Sequence, residues 1–244
     1  MHRFFSSSKN ILAKEIIISD RRQVHHFRDV LRLKVKDKVI VCDEAGNEYI
    51  CLIKEWLNNQ ARLEIKDKRL FQGKSVKITV ACAIPKKSKM DDIVDKLTQL
   101  GVDRIIPLET ERVIIKLDAY KKISRLKRWQ KIAQSASQQS HRCALPVIEP
   151  ITDLKKLLSE SAEFDLKIIP TLAGPRQALK KILEKYKPKN ILILIGPEGD
   201  FTQDEVNMAV KAGCIPVSLG DLVLRVDTAA IAVVSFLRLG APGH

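Results

Sequence analysis

The chain has 244 residues, of which 45% are hydrophobic and 30% are charged, a balance typical of a soluble globular protein with one or two domains. Its apolar runs are all shorter than the roughly 20 residues of a membrane-spanning helix, and its first residues lack the pattern of a secretory signal. The sequence therefore excludes a membrane-spanning protein, and we expect a cytoplasmic one.

The formal net charge of +14 favours a polyanionic partner, because lysine and arginine bind phosphates and release their counterions. Residues 1–73 carry 15 basic and 10 acidic side chains, a net of +5, which leaves +9 for the rest of the chain. The positive charge is thus spread over the whole sequence. A lysine-rich surface without such a partner is the alternative, and charge alone does not separate the two.

Five cysteines are scattered along the chain, and none has the close spacing of a metal-ligand pair. Their odd number and the expected cytoplasmic setting favour reduced thiols. We therefore predict neither a disulfide nor a bound metal.

The first 73 residues predict a small β-rich domain. Its strands are expected at 16–18, in a hairpin at 39–53, and at 61–65, where apolar and polar residues alternate. The segment 71–75 is the expected linker to a second domain.

A short helix is expected before the hairpin, where Phe27 and Val30 share one face and Arg28 and Arg32 lie largely off it. Both arginines are candidate phosphate contacts, although a solvated helix face is a serious alternative. The histidine pair at 25–26 is more typical of a surface or packing position than of a catalytic one.

From residue 74 onward, strands and helices alternate, which predicts a parallel sheet. The expected strands are 76–83, 105–108, 166–171, 191–195 and 215–219, and the expected helices are 91–100, 121–140, 152–162, 177–186, 202–212 and 228–239. The run at 191–195 is wholly apolar, as in a strand buried on both faces.

Two of these strands end in loops that contain glycine. Residues 196–200, Gly-Pro-Glu-Gly-Asp, follow one strand, and Thr202 with Glu205 then forms a capping box for the next helix. Residues 220–227 follow the strand at 215–219. Because open α/β sheets bind ligands at the carboxyl ends of their strands, we expect the ligand site here.

These loops resemble those of a known family. Gly196-Pro197-Glu198-Gly199, then Leu219-Gly220, then Leu224-Arg225 with Thr228-Ala229, is similar to the RsmE family in the SPOUT class of RNA methyltransferases. Gln139, Ser140 and Arg142 match a further family pattern. The resemblance spans nearly the whole chain, and its two C-terminal motifs are specific.

The resemblance implies an α/β fold with two domains. A small PUA-like β-barrel at 1–73 would bind RNA, and a SPOUT domain at 74–244 would contain a parallel sheet and a C-terminal trefoil knot. Family members use S-adenosylmethionine to methylate N3 of a uridine, numbered 1498, in 16S rRNA of the small ribosomal subunit. The final helix at 228–239 is apolar all round, which predicts burial in the knot and in the interface of a homodimer.

The sequence departs from the family pattern in three places. The family usually has glycine where this chain has Asp200, and arginine where it has Leu222. It usually has threonine and glutamate where this chain has Val226 and Asp227. The first change makes the turn less permissive, the second removes a charge, and the third keeps a carboxylate on a shorter side chain.

Three residues are candidates for catalysis. When uracil N3 loses its proton, negative charge builds on the ring oxygens, and Arg225 is the first candidate to stabilise it. Resemblance to SPOUT dimers implies that Arg142 approaches the cofactor site of the second subunit, which makes it the next candidate. Glu198 is the third, although it fits a role in holding an arginine or the loop better than a role as a base. Asp227 is better explained as a helix N-cap than as a catalyst.

Glycine loops suit recognition of adenine and ribose, because a ligand can approach their backbone closely. The candidate cofactor-binding residues, some implied by the resemblance alone, are Thr171, Gly174, Gly196, Ile215, Leu219, Gly220 and Leu224. The candidate RNA contacts are Arg3, Arg28, Arg32, Lys86 and Arg112.

Two other classes of function compete with a methyltransferase. A non-catalytic RNA-binding protein would use the barrel and the basic surface alone, and binding of S-adenosylmethionine would distinguish the two. A nucleotide hydrolase is disfavoured, because the chain has no phosphate-binding G-x-x-x-x-G-K-[ST] motif and Glu198 puts a carboxylate in the glycine loop.

Overall fold

The computed structural model describes residues 1–70, 76–86, 89–112, 118–140 and 142–239, so the expected linker at 71–75 and His141 lie outside the described residues. The chain divides into two compact units. The first contains residues 1–73 and 137–145, and the second contains residues 74–136 and 146–244. Residues 137–145 thus group with the N-terminal unit, whereas the sequence assigned them to the second domain.

The first unit is built on a five-stranded sheet with the order β1-β3-β4-β5-β2. The strands are β1 (Arg3–Phe5), β2 (Glu15–Ile18), β3 (Lys38–Cys42), β4 (Glu48–Leu57) and β5 (Gln60–Arg69). β1 pairs parallel with β3, and the other pairs are antiparallel. The expected strands and hairpin are confirmed, while β1 was missed because its three residues show no alternation.

The short helix expected in this unit is present as α1 (Arg21–His25), which continues into a π-helical turn at His26–Val30. The wider turn breaks the spacing assumed from the sequence. Phe27 is fully buried in the core of the first unit, but Val30 is 56% exposed. The prediction that Phe27 and Val30 share one face was therefore wrong, because one is buried and the other is exposed.

The cysteines also differ from expectation. Cys42 and Cys143 form a disulfide within the first unit, across 101 positions of sequence. The prediction of reduced thiols was wrong for this pair, because spacing along the chain does not report that residues 137–145 group with the first unit. The other three cysteines are buried thiols, and burial raises the pKa of Cys51, Cys82 and Cys214 to about 12.

The second unit contains a parallel sheet, as predicted, but it has eight strands where five were expected, because three of them are only two residues long and show no periodicity. Its strands are β6 (Lys77–Ala83), β7 (Arg104–Glu109), β8 (Val147–Ile148), β9 (Thr152–Asp153), β10 (Leu166–Pro170), β11 (Gln177–Ala178), β12 (Asn190–Ile195) and β13 (Ile215–Ser218). Their order is β11-β13-β10-β12-β6-β7-β8, and β9 also pairs with β7. The apolar run predicted as a buried strand, β12, lies at the centre.

Helices cover both faces of this sheet. They are α2 (Lys89–Gln99), α3 (Ala119–Gln139), α4 (Leu154–Ser159), α5 (Leu179–Lys185), α6 (Gln203–Lys211) and α7 (Val226–Leu239). Residues of α2, α3, α5 and α7 pack on one face, and residues of α4 and α6 pack on the other. Alternate residues of β12 enter the two cores, which confirms that this strand is buried on both sides. None of the helices described is both long and apolar enough to cross a membrane.

The final helix, α7, has a buried face and an exposed face. Val233, Val234 and Leu237 are among its core residues, and Arg238 pairs with Asp103 at 2.7 Å. On the other face Phe236 is 42% exposed and Leu239 is 77% exposed. Within this chain, the helix is therefore only partly covered.

Candidate active site

The loops after β10, β12 and β13 leave the same edge of the sheet and line an open pocket. This is the edge at which the sequence predicted a ligand site. The lining comprises Pro170, Thr171, Leu172, Arg176, Ile195, Gly196, Pro197, Glu198, Asp200, Val217, Leu219, Gly220, Leu222, Val223, Leu224, Val226 and Ala229.

Most of the candidate cofactor residues lie around this pocket. Thr171, Gly196, Leu219, Gly220 and Leu224 are in the lining. Gly174, farther along the first loop, and Ile215 are not in the lining. Ile215 starts β13 and pairs with Ile168, at the end of the strand opposite the pocket. The binding roles of these residues stay predictions.

A tight turn at 196–200 forms one wall of the pocket. The amide of Asp200 donates to the carbonyl of Pro197 at 2.9 Å, and Asp200 has a left-handed φ of 59°. A Cβ built on Gly196 would lie 3.0 Å from the ring of Phe201, which is only 3% exposed. Glycine is therefore favoured at position 196 by a close approach to a buried ring rather than by backbone conformation.

The loops after β6 and β7 are hydrogen-bonded to this turn. Glu198 Oε1 accepts from the amide of Lys86, after β6, at 2.9 Å. The guanidinium of Arg112, after β7, donates to the carbonyl of Gly199. Of the roles considered for Glu198, these contacts support holding a loop. The guanidinium of Arg112, a candidate RNA contact, is thus already hydrogen-bonded within the protein.

The helix after the turn begins as the sequence predicted. Thr202 and Glu205 form a capping box at the start of α6. Glu205 is only 3% exposed, and its other carboxylate oxygen accepts from the amide of Glu111 at 2.9 Å. The capping residue thus also holds the loop after β7.

The third loop begins at Gly220, whose φ of 117° lies in the region that favours glycine. The hydroxyl of Ser218 donates to the carbonyl of Gly220 at 3.1 Å and accepts from its amide at 3.2 Å. Leu222 and Val223 follow, 78% and 75% exposed, on the pocket rim. The loop therefore presents apolar side chains as well as backbone.

Arg225 is exposed and immediately precedes α7. In the sequence it lies between Leu224 and Val226, which both line the pocket. The alternative explanation for this arginine, an ion pair with Asp221 or Asp227, is not observed among the described residues. The predicted N-cap role of Asp227 was wrong, because α7 begins at Val226 and Asp227 lies in its first turn. Asp227 Oδ1 is buried and has no hydrogen-bond partner among the described residues.

Cys82 is a buried thiol in β6, near this site, but it does not provide a nucleophile. Burial is the main cause that raises its pKa to about 12, and the negative charges of Glu198 and Asp227 add to the effect. A thiol with this pKa stays protonated at neutral pH. Within the described parts of the chain, no three His, Cys, Asp or Glu side chains cluster as metal ligands do.

The remaining candidates lie in the first unit. Arg3 pairs with Glu48 at 2.5 Å and has a side chain only 19% exposed, so its guanidinium is occupied. Arg28 donates to Asp29 at 3.2 Å, and Arg32 is exposed with a left-handed φ of 53°. Arg142 belongs to the 137–145 segment and is half-buried. Of the predicted RNA contacts in this unit, Arg28 and Arg32 are available at the surface.

Sequence reasoning missed several lining residues, chiefly Leu172, Arg176 and Val223. Each lies a few residues beyond a predicted strand end, which was the available signal. Which loop residue faces the pocket depends on the path of the loop, and periodicity does not report that path.

We expect Gly196→Ala to lower the free energy of unfolding by about 1–3 kcal/mol, because the new methyl group would overlap the buried ring of Phe201. Urea denaturation monitored by circular dichroism measures this change. Equal stability of the variant and the natural protein would contradict the close approach.

Gly199→Ala is the matched control in the same turn. A Cβ there would make an ordinary contact, 3.5 Å from Arg112 Cδ, and Gly199 has no positive φ. Its free energy of unfolding should change by about 0.5 kcal/mol or less.

Comparison with known proteins matches both units to domains of RNA methyltransferases. The family model of an RNA methyltransferase domain matches residues 72–238, and that of an RNA methyltransferase PUA domain matches residues 18–66. Two similar relatives are both called ribosomal RNA small subunit methyltransferase E. The one from Bacillus subtilis is 30% identical over 87% of this chain and 86% of its own length. The one from Mesomycoplasma hyopneumoniae is 31% identical over 95% of this chain and 96% of its own length.

A solved structure supports the same assignment. The ribosomal RNA small subunit methyltransferase E of Neisseria gonorrhoeae, bound to S-adenosyl methionine, matches with a TM-score of 0.87 and 27% identity. The match covers 98% of this chain and 97% of that one. The family models, the relatives and the fold agree along nearly the whole sequence, and this chain belongs to the RsmE family of RNA methyltransferases, whose named members are ribosomal RNA small subunit methyltransferase E.

Proposed function

We propose that this protein transfers a methyl group from S-adenosylmethionine to N3 of the uridine at position 1498 of 16S rRNA in the small ribosomal subunit. The observation that carries the proposal is the pocket lined by the loops after β10, β12 and β13. Family membership supplies the class of reaction, and the cofactor of the matching Neisseria structure supports the choice of methyl donor.

The residues of the pocket fit this cofactor. The lining is mostly apolar with a few polar side chains, as is usual for small-molecule sites. Gly220 has open space where a Cβ would lie, which leaves its backbone open to an adenosine group, and the carboxylate of Glu198 favours a positively charged ligand. When bound, S-adenosylmethionine supplies a methyl group activated by its positive sulfonium.

For the target base, Arg225 is the residue we assign to charge stabilisation. Loss of the proton from uracil N3 builds negative charge on the ring oxygens, and a fixed guanidinium can stabilise that charge. Arg225 is exposed beside the pocket and is not engaged by Asp221 or Asp227 among the described residues. Glu198, which accepts from the amide of Lys86, is assigned to holding the loop.

We further propose that the active unit is a homodimer in which α7 contributes to the interface and Arg142 approaches the site of the second subunit. The exposed apolar face of α7, with Phe236 and Leu239, supports this assembly. The expected trefoil knot stays a prediction. It is consistent with the strand order, because β13 lies between β10 and β11 while the chain connects those two strands directly.

Arg225→Ala should bind S-adenosylmethionine nearly normally and transfer methyl to rRNA about 10²–10³ times more slowly, because it removes a donor that acts on the developing charge. Calorimetry measures the binding, and single-turnover transfer to small ribosomal subunits measures the rate. Mass mapping of the product RNA should place the new methyl group on uridine 1498, and co-elution of the nucleoside with a 3-methyluridine standard should place it on N3. A methyl group at another position, or none with the natural protein, would overturn the proposed reaction.

Arg225→Lys serves as the conservative control. It keeps the charge but lacks the planar fork of arginine, so it should recover little of the transfer rate. If Arg225→Ala transfers methyl at a near-normal rate, Arg225 does not stabilise the charge. That role would then belong to Arg142 or to no side chain.

RNA affinity should fall steeply with salt, and Arg28→Ala with Arg32→Ala should reduce the slope of log K against log salt by about 1.4–1.8, the value for two lost phosphate contacts. Filter binding of 16S rRNA at several salt concentrations measures the slope. Arg62→Ala is the control, because Arg62 is held by two carboxylates of the same unit, Glu55 at 2.6 Å and Glu15 at 3.8 Å. An unchanged slope in the double variant would show that neither arginine contacts RNA phosphates.

Phe236→Glu with Leu239→Glu should convert the homodimer into folded monomers without methyl transfer, because the charges would face each other across an apolar interface. Sedimentation velocity reports the assembly, and circular dichroism checks the fold. A fully active monomer would contradict the proposed dimer.

A further inference from the structure

Asp200 combines an unusual backbone conformation with a fully engaged side chain. Its φ of 59° is one that aspartate adopts more readily than most residues but that glycine adopts at least cost. A residue needed only to make this turn would therefore be glycine. The side chain of Asp200 must be considered for a role of its own.

Both carboxylate oxygens of Asp200 accept hydrogen bonds. Oδ2 accepts from the hydroxyl of Thr171 at 2.9 Å and from the amide of Leu172 at 2.7 Å. Oδ1 accepts from the amide of Phe201 at 2.8 Å. The hydroxyl of Thr171 in turn accepts from the amide of Ala173 at 3.2 Å. One carboxylate thus connects the loop after β10 with the turn after β12.

The first loop has little else to hold it in place. Leu172 is 53% exposed, and Gly174 and Arg176 are exposed as well. Apart from the Asp200 contacts, the amide of Thr171 donates to the carbonyl of Val217 at 3.4 Å, and Arg176 donates to the carbonyl of Thr171 at 3.2 Å. Among the described residues, the Asp200 carboxylate is therefore the side chain of the neighbouring turn that holds residues 171 and 172.

Thr171, Leu172 and Asp200 all line the pocket. We propose that Asp200 is a positioning residue, whose carboxylate latches the loop of residues 171–174 to the turn of residues 196–200 and so sets two walls of the pocket before the cofactor enters. This inference rests on the proposed binding of S-adenosylmethionine. A preorganised wall raises affinity because less ordering remains to be done on binding.

The size of the effect follows from the population of the ordered loop. If the unlatched loop is in its binding conformation for about a tenth to a hundredth of the time, the apparent Kd rises about 10- to 100-fold. The same loss should expose the amide of Leu172 to exchange with solvent, since its acceptor is gone.

Asp200→Gly is the decisive variant, because the two explanations predict opposite outcomes. If Asp200 merely occupies a glycine position, Asp200→Gly relaxes the backbone and binds S-adenosylmethionine as tightly as the natural protein or more tightly. If Asp200 is a latch, Asp200→Gly raises the Kd about 10- to 100-fold. Asp200→Asn should lie between the two, because asparagine tolerates the left-handed conformation and keeps one acceptor oxygen.

Calorimetry on the full chain measures the Kd, and hydrogen exchange in the absence of cofactor measures protection at Leu172. Asp204→Asn is the control, since it removes an exposed carboxylate four residues away that lies outside the pocket lining. Its Kd and exchange rates should match those of the natural protein. Should Asp200→Gly fail to fold, Asp200→Asn carries the same test.

The latch and the proposed function fail in different ways. A natural protein that does not bind S-adenosylmethionine overturns the proposed function, and exchange at Leu172 then decides whether the loop is latched. A natural protein that binds, with an Asp200→Gly variant that binds equally well or exchanges Leu172 no faster, overturns the latch alone.

Discussion

Hydrogen bonds made by one five-residue turn, at 196–200, hold together loops from several strands of the sheet. Glu198 holds the loop after β6, the carbonyl of Gly199 engages Arg112 after β7, and Asp200 holds the loop after β10. The turn can do this because β12, the strand that it ends, lies between β10 and β6. A central strand thus gives its turn access to loops on both sides.

The centre of this sheet was predictable, and the path of the chain around it was not. Five consecutive apolar residues at 191–195 identify a strand that is buried on both faces, which is a local property. The grouping of residues 137–145 with the first unit, and the pairing of Cys42 with Cys143, are long-range properties. Hydrophobic periodicity reports which face of an element is buried, but it does not report which distant segment covers that face.

The same distinction separates what was predicted of the site from what was missed. Gly196 and Gly220 mark strand ends, so the sequence located the pocket. It left the role of Glu198 open and described Asp200 only as a departure from glycine, because their partners lie far away in the sequence. Lys86 is 112 positions from Glu198, and Thr171 is 29 positions from Asp200. The chemistry of such a carboxylate is decided by the donor that the fold brings to it.

The position of β12 also affects how the chain reaches its native state. Ile193 pairs with Val80 of β6, so the middle of the sheet joins segments from opposite ends of the second unit. While the chain is synthesised, β6 can pair with β7 early, but its other edge stays open until Ile195 has left the ribosome. Parallel pairing over such distances is slow, and an open apolar edge is prone to association with other chains. In a nascent chain of this family member, one edge of β6 therefore stays open to association with other chains until the central strand arrives.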